Sequence, residues 1–179
     1  MKKILLFLLL LNSLYADAFT YFGVGVGYYN ENFTNVDANS ADMLANLKVG
    51  YGDRRAYAVE ISLEYVNNQA SIFSLNDSNK MGMDVNLIKS LDIHEMFIPF
   101  FKVGIGAGVF DIEGQFQNNI HYGSFNLGLG TYIPLNPSVD IELCYTQKFL
   151  SYEGIDTISE DVSYKSVISA ANIGLNVRF

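Results

Sequence analysis

Two histidines and one serine have the side-chain types that nucleophilic catalysis requires: His94, His121 and Ser124. A serine nucleophile needs a base within hydrogen-bond reach, and that base is usually oriented by a third group. His121 and Ser124 are three residues apart in a segment of alternating polarity, so on a strand they point to opposite faces. The sequence places no carboxylate beside them. We therefore predict no catalytic residues and interpret His121 as an exposed residue at the edge of a strand.

The sequence gives little indication of a metal site and none of an intramolecular disulfide. One polar segment contains Glu153, Asp156, Glu160 and Asp161, and carboxylate oxygens are ligands for Ca²⁺. Their spacing matches no known cation-binding loop, so we expect a solvated surface and no metal site. Cys144 is the only cysteine, which excludes an intramolecular disulfide. No cofactor is predicted.

Most of the remaining charged residues lie in segments whose polarity alternates with a period of two. This period is typical of a strand with one apolar and one polar face. Between Tyr57 and Tyr65, for example, apolar side chains alternate with Glu60, Ser62 and Glu64. Eight strands are predicted in this way, at 20–29, 42–51, 57–65, 81–87, 97–110, 121–133, 139–145 and 167–179.

The connectors between these strands alternate in length. Short connectors are predicted at 52–55, 88–96 and 134–138, and long polar ones at 30–41, 67–80, 111–120 and 149–163. Short periplasmic turns and long outer loops are typical of outer-membrane barrels with an even number of strands. The second long loop contains an apolar cluster, Ile72, Phe73 and Leu75, that either contacts a partner or folds over the rim.

Alternation alone does not say which face points outward. A soluble lipocalin-like barrel would turn its apolar face inward around a ligand. Here the apolar faces begin or end on aromatic residues such as Tyr51, Tyr57 and Phe125, as in the aromatic girdles of membrane barrels. The polar faces combine glycine with charge, which suits a narrow lumen. The sequence therefore predicts an all-β fold, an eight-stranded antiparallel up-and-down transmembrane β-barrel.

The segment 97–108, Phe-Ile-Pro-Phe-Phe-Lys-Val-Gly-Ile-Gly-Ala-Gly, resembles a strand of the opacity-type, porin-like and OmpA-like barrels. The strands 124–132 and 140–145 and the ending 174–179 follow in the order and spacing of that family. The family's seventh strand more usually continues with a basic residue, whereas Thr146 and Gln147 follow here. The resemblance implies a barrel in the outer membrane of a Gram-negative bacterium. It specifies a fold well and an activity poorly.

The last predicted strand resembles the C-terminal signal that the barrel-insertion machinery recognises. Its alternating residues close on an aromatic side chain, and the signal positions are Ile173, Gly174, Leu175, Val177 and Phe179. We accordingly expect contacts with that machinery and with periplasmic chaperones during biogenesis.

The first residues are typical of a secretory signal peptide. Lys2 and Lys3 precede an apolar run over 4–11, which is too short to span a bilayer. We predict a signal peptide at 1–18, cleaved after Ala16 or Ala18, and a barrel domain at 19–179. The net charge of −8 argues against nucleic acid as a partner. Outer-membrane lipid and lipopolysaccharide are the expected surroundings of a monomer, and a surface ligand of the loops is left open.

The inward charges pose the main functional question. The predicted lumen charge network is Lys48, Glu60, Glu64, Asp84, Lys102, Asp140, Glu142 and Arg178. Register predicts Arg178 near Asp140 and Lys102 near Asp84. One interpretation is a paired plug, because buried charges must be compensated. The other is a narrow pore, which the excess of carboxylates would bias toward cations.

Taken together, these patterns predict a small outer-membrane barrel with a structural or surface-interaction role through four long outer loops and no catalysis. Two alternatives remain open at this point. The first is the narrow, cation-leaning porin. The second is a lipid A-modifying enzyme, because some eight-stranded outer-membrane barrels have that activity.

Overall fold

A computed structural model describes residues 18–34, 39–67, 79–111, 119–153, 155–156, 161–162 and 164–179. The predicted signal peptide as far as Asp17 lies outside these residues, so its cleavage site stays a prediction. The apolar cluster of the second loop, Ile72, Phe73 and Leu75, also lies outside them. Within the described ranges, no helix has the length and hydropathy needed to cross a bilayer.

Eight long antiparallel strands form one closed barrel. They are β1 (Phe19–Phe33), β2 (Asn39–Gly52), β3 (Tyr57–Asn67), β4 (Asn79–Ser90), β5 (Ile98–Asp111), β6 (Asn119–Asn136), β7 (Val139–Tyr152) and β10 (Lys165–Arg178). Each strand pairs with its neighbours in the sequence order, and β1 pairs with β10 to close the barrel. Two short strands, β8 (Ile155–Asp156) and β9 (Asp161–Val162), pair with each other. The predicted fold is confirmed.

The register of the strand pairs gives the barrel its tilt. A line of paired residues starts at Phe22 and returns to β1 at Asn32, ten residues further along (32 − 22 = 10). It passes through Val49, Ile61, Val85, Ile105, Phe125, Phe149 and Val167. This shear requires the strands to tilt by roughly 40° from the barrel axis. Side chains that face each other across the lumen therefore come from strands that are not neighbours.

The outer wall carries a continuous apolar band. Val59, Ile61 and Leu63 of β3, for example, are about half exposed. Aromatic residues border the band, with Tyr51 and Phe101 toward the short turns and others toward the opposite end. Such a surface is stable in lipid and not in water. The opposite face carries buried charged side chains in the middle of the lumen, so a lipocalin-like apolar interior does not fit. The short turns define the periplasmic end, and the opposite end is called the outer end.

The lumen is divided into three layers. The periplasmic cluster is apolar and consists of Tyr21, Ala58, Ile88, Ile98, Phe100, Tyr132 and Cys144. The outer cluster is larger and is centred on Tyr29, Phe33, Leu44, Val66, Phe110, Ile120, Leu150, Tyr152, Ile168 and Ala170. Polar and charged side chains fill the space between the two clusters.

Several strands extend further toward the outer end than the sequence predicted. Strand β7 was expected to end at Tyr145 and runs to Tyr152, while β1 continues to Phe33. The reason is that the apolar face switches sides at the outer end. Leu150 and Tyr152 point inward and are buried, whereas Ser151 is exposed. A pattern that requires apolar residues on the lipid side ends before these strands do.

Candidate functional site

The structure places all eight residues of the predicted lumen charge network inside the barrel, and each forms at least one ion pair. Seven are buried, and Glu64 is partly exposed within the lumen. They come from β2, β3, β4, β5, β7 and β10. The alternation of each strand turns these side chains inward, and the barrel tilt decides which of them meet.

The centre of the network is a chain of four charges that crosses the lumen. Lys102 Nζ lies 2.7 Å from Glu60 Oε1 and 3.7 Å from Glu142 Oε1. Lys48 Nζ lies 2.8 Å from the other oxygen of Glu142. Tyr21 donates a hydrogen bond of 2.8 Å to Glu60 from the periplasmic cluster. Charge-assisted contacts of this length offset the loss of hydration that burial imposes.

At the periplasmic end, Asp140 is held between two arginines. Arg178 Nε donates to Asp140 Oδ2 at 2.5 Å, and Arg54 Nη1 of the β2–β3 turn donates to Oδ1 at 2.8 Å. The guanidinium of Arg178 lies 4.8 Å from the ring centroid of Tyr21 and 5.3 Å from that of Tyr132. The expected proximity of Arg178 and Asp140 is thus present as a direct contact. Arg54 was not among the predicted residues, because it lies in a turn.

The expected proximity of Lys102 and Asp84 is wrong. In the β4–β5 register Asp84 pairs with Gly106, and Lys102 pairs with Ile88, so the two side chains lie four residues apart along the strand. Lys102 instead reaches across the lumen to Glu60 and Glu142. The partner of Asp84 is Lys148, with Nζ 2.5 Å from Oδ2.

Lys148 is the principal residue that the sequence analysis missed. It pairs with Glu64 as well as with Asp84, so one ammonium compensates two carboxylates. Position 148 fell between the strand predicted at 139–145 and the loop predicted at 149–163, so it was assigned to neither. The alternation Cys144, Thr146, Lys148, which continues the inward face, is the signal that could have identified the longer strand.

A further ion pair lies inside the outer cluster and was also missed. Lys80 Nζ is 2.6 Å from Glu31 Oε2, and both side chains are buried. Tyr152 donates a hydrogen bond of 2.6 Å to Glu31, and Ser166 donates another. The ammonium also lies 5.2 Å from the centroid of the Tyr122 ring. The polar atoms of this pair are therefore well satisfied within apolar surroundings.

The ion-paired groups of the described lumen are balanced in charge. Its paired cations are Lys48, Arg54, Lys80, Lys102, Lys148 and Arg178, and its paired carboxylates are Glu31, Glu60, Glu64, Asp84, Asp140 and Glu142. The predicted cation preference depended on five carboxylates and three cations. The three additional cations and one additional carboxylate remove that excess, so the physical basis for cation preference is lost.

The space left inside the lumen is small. A cavity among the central charges and another beneath the outer cluster each measure about 20 Å³. One water molecule occupies roughly 10–15 Å³ on this measure, so each cavity accommodates about one. The two apolar clusters lie beyond these cavities toward the two ends.

The candidate catalytic residues are separated. Ser124 faces the lumen, with its hydroxyl 3.5 Å from Asp84 Oδ1, whereas His121 is exposed on the other face. Glu153 accepts a hydrogen bond from the backbone amide of His121, not from its ring. His94 lies in the exposed β4–β5 turn, where its Nδ1 accepts from Met96. No group of three or more potential metal ligands is present among the described residues.

No family model matches the chain, and no curated protein matches it. Solved structures do. Neisserial surface protein A is 11% identical with a TM-score of 0.68, covering 89% of this chain and 97% of that one. Ail, the attachment invasion locus protein of Yersinia pestis, is 16% identical with a TM-score of 0.57, covering 90% and 99%. OprG, an outer membrane protein from Pseudomonas aeruginosa, is 11% identical with a TM-score of 0.50, covering 90% and 95%.

These neighbours are small barrels of Gram-negative outer membranes, the type of protein that the sequence resembles. At such low identity the likeness shows the fold. The chain has the eight-stranded outer-membrane β-barrel fold, and the predicted location in the outer membrane agrees with it.

We predict that Arg178→Ala lowers the stability of the folded barrel. Removing the guanidinium leaves Asp140 with a single partner, and breaking a buried ion pair typically costs about 3–5 kcal/mol. The measurement is thermal or urea unfolding of the purified barrel in detergent. Arg55→Ala is the matched control, because Arg55 and Asp92 form an exposed pair at 3.6 Å that contributes at most about 1 kcal/mol. Equal melting of the two variants contradicts the assignment.

The pair in the outer cluster allows a double-mutant cycle. Lys80→Met leaves the carboxylate of Glu31 buried without its ammonium, and we expect a loss of about 3–5 kcal/mol. Lys80→Met combined with Glu31→Leu removes both charges and should restore most of that loss. Urea unfolding of the four proteins gives the coupling energy. Additive effects of the two substitutions would show that the side chains do not interact.

Proposed function

We propose that the protein is a sealed outer-membrane barrel that presents polypeptide segments at the cell surface and does not conduct ions. The observation that carries this proposal is the filled lumen. An ion crossing it has to displace side chains of the periplasmic cluster, separate the central ion pairs and then pass the outer cluster. Each of these steps exposes or strips charge in a low-dielectric interior, which is costly.

The seals at the two ends consist of aromatic contacts. At the periplasmic end the rings of Phe100 and Tyr132 stack with centroids 4.5 Å apart. At the outer end the rings of Phe33 and Tyr152 stack with centroids 5.8 Å apart. Large, fully packed rings resist displacement because their burial and mutual contact both stabilise the closed state. This arrangement supports a closed barrel over the porin alternative.

The names of two structural neighbours favour a surface role. One is a surface protein and another belongs to an attachment invasion locus. Ail has also been solved in complex with the heparin analogue sucrose octasulfate. We do not extend that polyanion binding to this chain. Its described outer strand ends carry the carboxylates of Asp42, Asp111 and Glu153 beside the ammonium of Lys165. A neutral or cationic surface partner suits this end better.

A planar bilayer experiment tests whether the barrel is sealed. We expect the purified, folded protein to insert without stable unitary current steps at moderate voltage. A conducting porin added to the same membranes shows that the bilayer reports pores, and proteoliposome flotation shows that this protein has inserted. Reproducible unitary steps from the inserted protein contradict the sealed lumen and favour the porin.

An epitope-accessibility experiment tests the surface role separately. A short tag is inserted between β3 and β4, in 68–78, or into the β2–β3 turn at 53–56. Since the two connections leave opposite ends of the barrel, intact cells should bind antibody only through the first tag. Permeabilised cells should bind through both. Antibody binding to the turn tag on intact cells would reverse the proposed orientation.

A further inference from the structure

A lysine stands on the outer wall of the barrel among apolar side chains. Lys89 is half-buried on the outward face of β4, and its register partners are Tyr57 of β3 and Phe101 of β5. The two rings lie next to the short turns, in the aromatic border of the periplasmic end. Lys89 is level with that border. A long side chain there packs its stem against apolar surface and holds its ammonium near the lipid head groups.

The ammonium of Lys89 has an aromatic neighbour and lacks a counter-charge. Its Nζ lies 3.9 Å from the centroid of the Tyr57 ring. Among the described residues no carboxylate forms an ion pair with it, and Asp92 of the nearby turn is paired with Arg55. A cation held over the face of a ring keeps its N–H donors for other acceptors. The group that suits this position is therefore an anion at head-group depth.

Two apolar grooves meet beside Lys89. The larger measures about 400 Å³ and is lined by Lys89 and mainly by Leu87, Phe101, Val103, Leu127 and Leu129. The smaller measures about 180 Å³, and its lining includes Tyr51, Tyr57, Val59 and Leu87. Leu87 lines both grooves and pairs with Val59 on one side and with Val103 on the other. The grooves therefore lie on the two sides of this one leucine.

The larger groove rises from the periplasmic border into the apolar band. Rows of paired residues climb toward the outer end in the direction from β1 through β2 to β7, as the line from Phe22 to Asn32 shows. The groove crosses β4, β5 and β6 in the same direction, so its Lys89 end is the shallow one. A chain lying in it starts at head-group level and ends among hydrocarbon.

We propose that the two grooves hold one phospholipid of the periplasmic leaflet. Its two acyl chains lie on either side of Leu87, and its phosphate accepts hydrogen bonds from the ammonium of Lys89. Charge-assisted hydrogen bonds to phosphate are among the stronger kinds, and the apolar groove walls stabilise the chains. The carboxylate of Asp53 also lines the smaller groove, so a head group with an ammonium beside its phosphate suits this end. The site lies on the outer wall and does not depend on a sealed lumen.

Other occupants match fewer of these features. Inorganic phosphate would contact Lys89 and leave both grooves unfilled. An amphiphile with a single chain would fill only one of them. Lipopolysaccharide carries its phosphates at the opposite face of the membrane, away from Lys89. A phosphate joined to two chains matches the cation and both grooves together.

Native mass spectrometry tests the phosphate contact. The purified, folded barrel in detergent is titrated with a two-chain phosphatidylethanolamine, and the complex with one lipid is quantified. We expect Lys89→Gln to weaken binding at least fivefold and Lys89→Arg to retain it. Lys165→Gln, at an exposed position near the outer end, removes the same charge and is the matched control. Equal weakening by Lys89→Gln and Lys165→Gln, or no weakening by Lys89→Gln, overturns the proposal.

The same titration tests the two grooves. Lysophosphatidylethanolamine has the same head group with one chain, and we expect it to bind at least fivefold more weakly. Val103→Trp fills the larger groove and should weaken binding of the two-chain lipid. Val24→Trp, on the far side of the barrel, should not. Leu127→Trp is a second groove-filling variant, and heat-modifiable mobility shows that each variant is folded. Equal affinity for the two lipids overturns the two-groove arrangement.

Photo-cross-linking in vesicles locates the bound lipid. The vesicles contain phosphatidylethanolamine and phosphatidylglycerol, with a trace of phosphatidylethanolamine that carries a photoreactive group in one chain. We expect the label to concentrate on β3 to β6 and to fall at least threefold there in Lys89→Gln. Uniform labelling around the barrel indicates an ordinary lipid shell and overturns the proposal. Label that lipopolysaccharide displaces and phosphatidylethanolamine does not assigns the grooves to lipopolysaccharide and rejects the phospholipid.

Discussion

The structure depends on one constraint: a charge inside an eight-stranded barrel has no room for a hydration shell. The lumen is wide enough for the side chains of its own strands and for little else. Every charged group of the central layer is therefore compensated by another side chain. The intact network pairs six cations with six carboxylates inside the barrel. Breaking a single pair leaves a buried charge without its partner.

This constraint explains which parts of the site the sequence predicted. Alternation identifies inward residues on each strand, and adjacency of the last two long strands brings Arg178 to Asp140. The pairing of Lys102 with Glu60 spans strands that are not neighbours. It depends on the shear of ten residues, and no local pattern encodes that number. For this reason the expectation of Lys102 beside Asp84, which assumed neighbouring strands, was wrong.

The outer end shows a second limit of sequence patterns. In the membrane the apolar face points to lipid, and beyond the membrane the same strands bury apolar side chains in the outer cluster. The period of two is preserved, but the apolar side chains change from the outer face of the strand to the inner face. The predicted seventh strand therefore ended at Tyr145. Lys148, Tyr152 and the pair of Lys80 with Glu31 were not recognised as interior residues. Recognising this change requires two patterns, one with apolar residues facing outward inside the membrane and one with apolar residues facing inward beyond it.

The need of buried polar groups for partners also distinguishes the inner face of the barrel wall from its outer face. A polar group facing the lumen finds its partner within the chain, as Glu142 does with Lys48. Hydrocarbon offers no hydrogen bond to a polar group on the outer wall. The hydroxyl of Tyr65 accordingly donates to Asn79 Oδ1 at 2.8 Å, near the outer end of the neighbouring strand. In the proposed sealed barrel the charged side chains of the interior are paired with one another, so interaction with other molecules is left to the outer ends of the strands and to the lipid-facing wall.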